Sequence, residues 1–454
     1  MKTVIHNANI VTRHTQYHGY VTIDGDKISH VDKGDFNQQD AHNFDCVIDA
    51  NGKYLLAGVI DEHVHFRDPG LTAKADILTE SLAAAAGGVT SYFDMPNCKP
   101  ATTTVNDINN KYLRAQKASA VNYSFYIGAT NDNFDQILKS DFTKVCGIKL
   151  FLGSSTGGML VNEGGTIDTL LRFSRDTGVV VAVHSEDENI IRANAAKYQA
   201  LYGNDVPLMF HPLIRSEEAC YTATARIVEA ASRIGARLHV MHVSTERELS
   251  LFESNKDITS KNITAEACIA HLLFSDKDYD SCGSRIKCNP AVKTLSDRDA
   301  LRKALTNGKI DTVATDHAPH LLCDKEGGAL KASSGMPMVQ FALPVMMGLA
   351  EEGILTLSQT TALMSHAPAS IYGVVNRGEI NVGYFADLTL VELLTNHATI
   401  SDSMVLSRCG WTPLQGLSSN YRVAATIVNG NIIYNDGVFA PINNSYAKSI
   451  CFKH

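Results

Sequence analysis

The chain has 454 residues, of which 44% are hydrophobic and 19% are charged, and its formal net charge is -8. No apolar run of about 18 residues predicts a membrane span, and no cluster of Lys and Arg indicates a nucleic-acid partner. The first residues lack the pattern of a signal peptide and the ten cysteines are scattered, so we expect reduced thiols and a cytoplasmic protein.

The two ends of the chain share a strand-rich pattern. Short apolar and β-branched runs separated by turns fill 1–56, and similar runs return in 373–454, where Asn429 and Gly430 form a hairpin signal. We therefore predict that both chain ends pair into one small β-sandwich domain.

The middle of the chain, 57–372, alternates β-branched runs with helical stretches, which is typical of βα units around a parallel sheet. The candidate strands are "GVIDEHVHF", "VTSYFDMPN", "YSFYIGAT", "GIKLFLG", "GVVVAVHSE", "RLHVMHVS", "ITAEACIAHLLF" and "IDTVATDHAP". Eight strands predict an α/β fold, the closed (β/α)8 TIM-type barrel, in which catalytic groups lie at the C-terminal ends of the strands.

Ionisable side chains follow the first strand closely. Asp61, His63, His65 and Arg67 alternate along the chain, so an extended strand would turn all four to the barrel interior or its mouth. Two histidines spaced in this way can bind one metal ion through their imidazole nitrogens. The same spacing also fits two histidines that are only hydrogen-bonded, and the first strand alone leaves both interpretations open.

Three further strands end in groups that could bind metal. His184, His242 and Asp316 follow apolar runs at the ends of strands five, six and eight, where a polar side chain needs a partner. Four histidines and one carboxylate at a barrel mouth predict a metal site with nitrogen and oxygen ligands, for which zinc is the favoured ion. His239 has the opposite parity to His242, and we interpret it as a packed structural histidine.

Lys149 lies inside the apolar run "GIKLFLG", and two interpretations of it stay open. Its ammonium could extend to solvent or pair with an acid. Alternatively, burial lowers the pKa of the lysine, and the neutral amine adds carbon dioxide to give a carbamate that bridges two metal ions.

The whole chain resembles the amidohydrolase superfamily, and within it the cyclic amidases. The resemblance rests on the motifs "HVHFRDPG", "GGVTSYFDMPN", "KLFLGSSTG", "VHSED", "CNPAVKTLSDRDAL" and "TDHAPH", which look like those of the dihydroorotase family. Hydantoinases and allantoinases share the metal ligands but typically lack counterparts of Arg67 and His320. Because the metal ligands are shared, a hydantoinase-type or allantoinase-type cyclic amidase is the alternative enzyme, and the presence of Arg67 and His320 argues against it.

The resemblance implies two zinc ions bridged by carboxylated Lys149. The other ligands would be His63, His65 and Asp316 for one ion and His184 and His242 for the second. Many bacterial dihydroorotases have an acidic "SDDG"-like segment where this chain has "GSSTGG" at 153–158, which places the chain nearer to the lysine-bridged pattern. The number of metal ions stays open.

The resemblance also implies the reaction, which is the reversible cyclisation of N-carbamoyl-L-aspartate to L-dihydroorotate in pyrimidine biosynthesis. In the hydrolytic direction a metal-activated hydroxide would attack the ring amide, and Asp316 would pass its proton to the departing nitrogen. The substrate carboxylate would bind the forked guanidinium of Arg67.

Other residues of the motifs would contact the same small-molecule substrate. Asn97 and His320 would complete the carboxylate pocket, and Asn289 would contact the ring. The structural alternatives are turn chemistry for the two asparagines and a salt bridge from Arg67 to Asp68.

Several points stay open at this level. All proposed metal ligands are present, which disfavours a non-catalytic assembly partner that has lost them. We expect a homo-oligomer and favour a dimer. The roles of Asp61 and His271 are unassigned, and the Gly-rich stretch 321–337 could be a lid over the site or a surface connection.

Overall fold

The computed structural model describes residues 1–153, 159–161, 163–254 and 257–454. The comparison of "GSSTGG" with an acidic segment therefore lies outside the described residues, apart from Gly153. In the part of the chain described, no helix has both the length and the apolar character needed to cross a membrane.

The strands fall into three groups along the chain. The N-terminal strands are β1 (Lys2–Val11), β2 (Gln16–Asp24), β3 (Lys27–Lys33), β4 (Cys46–Asp49) and β5 (Tyr54–Ala57). The middle strands are β6 (Val59–Val64), β7 (Val89–Asp94), β8 (Asn122–Gly128), β9 (Gly147–Phe151), β10 (Val181–His184), β11 (Leu238–Val240), β12 (Ile263–Cys268) and β13 (Thr312–Ala314). The C-terminal strands are β14 (Leu388–Thr399), β15 (Ser418–Val428), β16 (Asn431–Asn435) and β17 (Val438–Phe439).

The helices connect and cover the middle strands. They are α1 (Ile77–Ala86), α2 (Val105–Ala118), α3 (Phe134–Leu138), α4 (Gly164–Thr177), α5 (Glu188–Tyr202), α6 (His211–Ile214), α7 (Glu217–Ile234), α8 (Ile269–Leu273), α9 (Tyr279–Cys282), α10 (Leu295–Ala304), α11 (Gly328–Lys331), α12 (Ala342–Glu351), α13 (Leu357–Thr361) and α14 (Ala367–Tyr372).

Strands β6 to β13 form a parallel sheet in chain order, and this sheet curls into a barrel. Val64 at the end of β6 bridges to His317 just beyond β13, and the backbone N–H of His65 donates to the carbonyl of His317 at 2.8 Å. These contacts bring the first and last strands together. The predicted eight-stranded α/β barrel is confirmed.

Both chain ends contribute to one continuous sheet, which confirms the predicted pairing of the termini. β5 lies between β1, with which it is parallel, and β14, with which it is antiparallel. Buried side chains from both ends, including Ile5, Val21, Leu388 and Ile427, form a separate apolar core.

Strong local signals fix the helices around the barrel. α1 begins with a capping box in which Asp76 accepts from the backbone of Thr79. α7 begins at a Ser216 cap and ends at Gly235, whose φ of 83° belongs to the left-handed region that favours glycine. The caps fix where the helices start and end, and because the strands between them are parallel, the C-terminal strand ends lie on one side of the barrel.

The seventh predicted strand was too long. The structure has β12 over Ile263–Cys268, and the helix α8 then takes Ile269–Leu273. The apolar run "ITAEACIAHLLF" continues through both elements, and periodicity does not separate a buried strand from a buried helix over so short a run. His271 therefore lies in α8, and its Nε2–H donates to the carbonyl of Pro290 at 3.0 Å.

The last residues of the chain close the amino-terminal end of the barrel. The N–H of Ile450 donates to the carbonyl of Tyr123 at 3.0 Å, near the start of β8. Phe452 is buried, and its ring centroid lies 5.5 Å from that of Phe93 in an apolar cluster with Tyr126 and Tyr372. The tail thus contributes to the core of the barrel although it follows the end sheet in the chain.

Loss of the buried side chain of Phe452 in this C-terminal tail should destabilise the whole barrel. We expect Phe452→Ala to lower the free energy of unfolding by about 3 to 5 kcal/mol, since it removes a buried aromatic ring and leaves a cavity. Urea denaturation followed by circular dichroism measures the change, with the exposed neighbour Lys453→Ala as the matched control. A loss for Phe452→Ala no greater than that of the control would contradict the role given to the tail.

Candidate active site

A cavity of about 440 Å³ opens where the C-terminal ends of the barrel strands meet. Every side chain that the sequence predicted to bind metal or substrate lines it, namely His63, His65, Arg67, Asn97, Lys149, His184, His242, Asn289, Asp316 and His320. Residues far apart in the chain are thus brought to one place.

Asp61, predicted to face the barrel interior or its mouth together with His63 and His65, is buried and does not line the cavity. The pairing of β6 with β7 shifts register between Asp61 and Val64, which breaks the alternation assumed from sequence. The carboxylate of Asp61 instead accepts from Thr315 Oγ1 at 2.6 Å and from the N–H of His63 at 3.3 Å. Burial raises the pKa of Asp61 to about 6. Asp61 therefore supports the backbone beside the site.

The four predicted histidine ligands form an unbroken row of rings. The ring centroids of His65 and His63 lie 5.4 Å apart, those of His63 and His242 lie 5.3 Å apart, and those of His242 and His184 lie 4.7 Å apart. All four side chains are buried. Burial lowers the pKa of His65 to about 4 and lowers the pKa values of His184 and His242, so these three imidazoles are neutral at pH 7.

Hydrogen bonds at Nδ1 fix the tautomers of His63 and His65. His63 Nδ1 donates to Glu266 Oε1 at 2.8 Å, and His65 Nδ1 donates to Asn97 Oδ1 at 2.7 Å. An imidazole that carries its single proton on Nδ1 presents a lone pair on Nε2. Both Nε2 atoms are directed to Asp316.

These lone pairs converge on a carboxylate. Asp316 Oδ1 lies 2.9 Å from His65 Nε2 and 3.3 Å from His63 Nε2, and one ligand atom of each residue lies within 4.8 Å of the others. Three electron-pair donors at this distance repel one another unless a cation lies between them, so the donor set fits a metal ion.

The second pair of histidines, His184 and His242, also includes a ring nitrogen without a hydrogen-bond partner in the described ranges. His184 Nδ1 lies 2.9 Å from His242 Nε2, while His242 Nδ1 is buried and has no hydrogen-bond partner in the described ranges. His184 Nε2 lies 2.9 Å from Glu186 Oε2. Burial alone would raise the pKa of Glu186, but Arg215 and His184 lower it, so the carboxylate is ionised.

Lys149 does not reach solvent, and it has no ion pair with an acid of the described residues. It is 1% exposed, and its Nζ contacts Met241 Sδ at 2.8 Å and lies 4.9 Å from the ring centroid of Phe151. Burial lowers the pKa of Lys149 to about 8, so a sizeable fraction of the amine is neutral near that pH. These surroundings favour the second interpretation of Lys149, in which the amine is available for reaction.

Three site residues have strained backbone conformations. Arg67, His242 and Asp316 adopt φ angles of 64°, 40° and 46°, in the left-handed region that residues other than glycine rarely occupy. Such strain persists only where surrounding contacts hold it, and it concentrates at functional sites. Each of the three strained residues lies two or three positions after the end of a barrel strand.

Arg67 and its neighbours form the other side of the cavity. Its Nε donates to the carbonyl of Pro319 at 3.1 Å, and Nη2 lies 3.1 Å from His320 Nε2. Asp68 pairs instead with Arg114 at 3.1 Å, so the predicted alternative of an Arg67–Asp68 salt bridge is wrong. Burial lowers the pKa of Arg67 to about 10, which leaves it charged at neutral pH.

The two predicted asparagines are oriented differently. Asn97 uses Oδ1 to hold His65, so its amide nitrogen is the group left for a ligand. Asn289 Oδ1 is buried without a hydrogen-bond partner in the part of the chain that the structure describes. A ligand with an N–H group would satisfy it.

The stretch 321–337 forms a wall of the cavity. Residues 329, 330 and 332–335 line the cavity. Lys325 holds this wall, since its buried Nζ donates to the carbonyls of Lys287, Ser333 and Gly335 at 3.0, 2.8 and 2.7 Å. Trp411 holds the start of the stretch through its Nε1–H, which donates to the carbonyl of His320 at 2.7 Å.

Sequence reasoning missed several acids that surround the ligands. Glu266 Oε1 accepts from His63 Nδ1 and from the N–H of His242 at 2.9 Å, and Glu80 accepts from His317 Nε2 at 2.7 Å. Glu62 is buried beside Glu266, and both burial and that neighbouring charge raise its pKa. Glu266 could have been found, because an acid in the apolar run "AEAC" needs a partner for the same reason as the histidines.

A barrel that gathers imidazoles, carboxylate and a cationic pocket at the C-terminal ends of its strands has the layout of a TIM-barrel enzyme. The model of the amidohydrolase family matches residues 54–433. The chain is 32% identical over 438 residues to a dihydroorotase from Methanosarcina acetivorans, with 95% of this chain and 91% of the relative covered. It is 33% identical over 401 residues to an allantoinase from Bacillus velezensis, with 87% of each chain covered.

Solved structures of related enzymes share the fold of this chain. The L-hydantoinase (dihydropyrimidinase) from Arthrobacter aurescens superposes with a TM-score of 0.90 at 25% identity, with 99% of both chains covered. The dihydropyrimidinase from Brevibacillus agri superposes with a TM-score of 0.88 at 24% identity over the full length of both chains, which shows the shared fold.

The chain belongs to the amidohydrolase family. Within that family it is a cyclic amide hydrolase that acts on a small molecule. The resemblance found in the motifs is thereby confirmed, and enzymes of this family are generally metal-dependent.

Loss of the acid that supports two ligands should weaken metal binding. We expect Glu266→Gln to lower zinc affinity by about 10- to 100-fold, because outer partners of ligating histidines fix ring orientation and basicity. Zinc titration in competition with a chelator measures this, and the exposed Glu246→Gln serves as control. Equal zinc affinity in the two variants would contradict the role of Glu266.

Proposed function

We propose that the protein is a zinc-dependent dihydroorotase, which reversibly cyclises N-carbamoyl-L-aspartate to L-dihydroorotate. The observation that carries this proposal is the buried pocket of Arg67 and His320 beside the metal-type donor set, in which Arg67 has no ion pair with a carboxylate of the described residues. A dihydroorotate ring bears a carboxylate outside the reacting amide, whereas an unsubstituted hydantoin ring bears none. The dihydroorotase relative at 32% identity supports the same substrate.

The proposed metal ligands fit zinc in their chemistry. Neutral imidazoles and an ionised carboxylate are zinc donors, and His242 Nδ1 is buried without another partner in the described residues. His63, His65 and Asp316 would hold one ion, and His184 and His242 a second, with carboxylated Lys149 between them. Bound zinc supplies a Lewis acid for the amide carbonyl and lowers the pKa of water to about 7.

The remaining steps belong to side chains of this chain. Asp316 accepts the proton of the attacking water and delivers it to the ring nitrogen, and in cyclisation it works in reverse as the base. Arg67 and His320 bind the exocyclic carboxylate, while Asn97 offers its amide N–H to the same group. Asn289 Oδ1 accepts from a ring N–H. The wall held by Lys325 limits access of bulk water.

A direct comparison of substrates tests the proposal. Zinc-loaded protein is assayed for ring opening of L-dihydroorotate, hydantoin and allantoin under the same conditions. We expect turnover of dihydroorotate to exceed that of the other two rings by orders of magnitude in kcat/KM. Turnover of allantoin without turnover of dihydroorotate would overturn the proposal and favour the activity named for the Bacillus velezensis relative.

The carboxylate contact has its own prediction. Arg67→Lys should raise KM for dihydroorotate by roughly 10- to 100-fold with a smaller effect on kcat, since a charge-assisted hydrogen bond contributes about 1.5 to 3 kcal/mol. Steady-state kinetics measures the two parameters separately. The control is Arg114→Lys, since Arg114 is a partly exposed arginine that pairs with Asp68. An unchanged KM for Arg67→Lys would remove the arginine from the carboxylate pocket.

The state of Lys149 can be observed spectroscopically. Protein loaded with zinc in 13C-bicarbonate should show one slowly exchanging carbamate carbon resonance, because a neutral buried amine adds carbon dioxide. Lys149→Ala should lack this resonance and should bind fewer zinc ions per chain. A wild-type spectrum without the resonance, together with one zinc per chain, would overturn the bridged site while leaving the substrate assay unaffected.

A further inference from the structure

His320 lies between two cationic donors. Lys74 Nζ is 2.9 Å from His320 Nδ1, and Arg67 Nη2 is 3.1 Å from His320 Nε2. The imidazole is 6% exposed, so water does not separate it from either group. A neutral imidazole has one lone pair and one N–H, and it therefore accepts from only one of the two cations.

The position of Lys74 decides which nitrogen carries the proton. Its ammonium is half-buried at the cavity wall and is held by Asp324 Oδ2 at 3.0 Å. Ammonium and guanidinium groups both have only donors, so each contact favours a lone pair on the nitrogen concerned. The contact of Lys74 with Nδ1 is the shorter of the two, at 2.9 Å against 3.1 Å, and this geometry places the lone pair on Nδ1. The proton of His320 then lies on Nε2, on the side of Arg67.

Asp324 is itself fixed by the wall of the cavity. Its carboxylate accepts from the N–H of Leu321 at 3.2 Å, and its carbonyl accepts from the N–H of Ser333 at 2.7 Å. Ser333 belongs to the segment that Lys325 holds. The lysine that contacts His320 is thus anchored to the rigid part of the site.

We propose that Lys74 is a positioning residue that selects carboxylated substrates by fixing His320 in the tautomer with the proton on Nε2. In this arrangement His320 Nε2–H and Arg67 Nη2–H are two donors 3.1 Å apart that need a shared acceptor. A carboxylate oxygen supplies two lone pairs and satisfies both. The identity of the carboxylate rests on the proposed function, but the tautomer does not.

Without Lys74, Arg67 and His320 could form a hydrogen bond with each other. His320 could move its proton to Nδ1, and Nε2 would then accept from Arg67 Nη2. The guanidinium would be engaged by a neutral partner within the protein, and an incoming carboxylate would have to displace that contact. The loss should therefore appear in substrate binding and not in the chemical step.

The tautomer is measured by 15N-histidine NMR on the zinc-loaded full chain, with the His320 signals assigned from their absence in His320→Asn. We expect a protonated Nε2 and an unprotonated Nδ1 in the wild type, and a protonated Nδ1 in Lys74→Met. Lys139→Met, an exposed lysine paired with Asp135 on α3, is the control and should leave the signals unchanged. A protonated Nδ1 in the wild type would overturn the proposal.

Kinetics supplies the second readout. Lys74→Met should raise KM for dihydroorotate by about tenfold, the effect of one hydrogen bond to a charged group, with kcat within about twofold of the wild type. Lys74→Arg keeps a cationic donor and should restore most of the affinity. In a His320→Asn background, Lys74→Met should have no further effect, whereas additive losses would show a merely structural role and overturn the proposal.

The outcomes separate this proposal from the proposed function. If the protein does not turn over dihydroorotate, the NMR result still decides the tautomer. If dihydroorotate is turned over but Lys74→Met changes neither the tautomer nor KM, only the role of Lys74 is lost. Should Lys74→Met fail to fold, Asp324→Asn releases the lysine from its anchor and is expected to shift the same His320 signals.

Discussion

The site depends on the convergence of buried electron-pair donors at the barrel mouth. His63 Nε2, His65 Nε2 and Asp316 Oδ1 face one another within hydrogen-bond distance, while the protons of both rings point away to Glu266 and Asn97. Such an arrangement is stable only with a positive charge at its centre. The surrounding hydrogen bonds therefore do more than position these side chains, since they leave a set of electron-pair donors that suits a cation.

The support of this arrangement crosses the barrel. One oxygen of Glu266, on β12, holds the ring of His63 on β6 and the backbone of His242 after β11. Asp61 on β6 holds the backbone next to Asp316 through Thr315. Strands that are not neighbours in the chain are thus joined through the residues that support the site.

The sequence was sufficient for the residues that stand alone in apolar runs. His184, His242, Lys149 and Asp316 were found because a polar group at the end of a buried strand needs a partner, and the cavity contains all of them. Strict alternation failed at Asp61, because a register shift is set by pairing with β7 and leaves no local signal. The end of strand seven, the contact of Lys74 with His320 and the wall at 329–335 depend on residues distant in sequence.

The single tryptophan of the chain has a consequence for observing the enzyme. Trp411 is fully buried, and its indole N–H is bonded to the carbonyl of His320, while the cations of Arg285 and Lys325 lie 5.6 and 5.7 Å from its ring. Indole emission responds to hydrogen bonding and to nearby charge. The tryptophan fluorescence of the protein therefore originates beside the pocket of Arg67 and His320, which gives the molecule a built-in optical probe of ligand entry that needs no label.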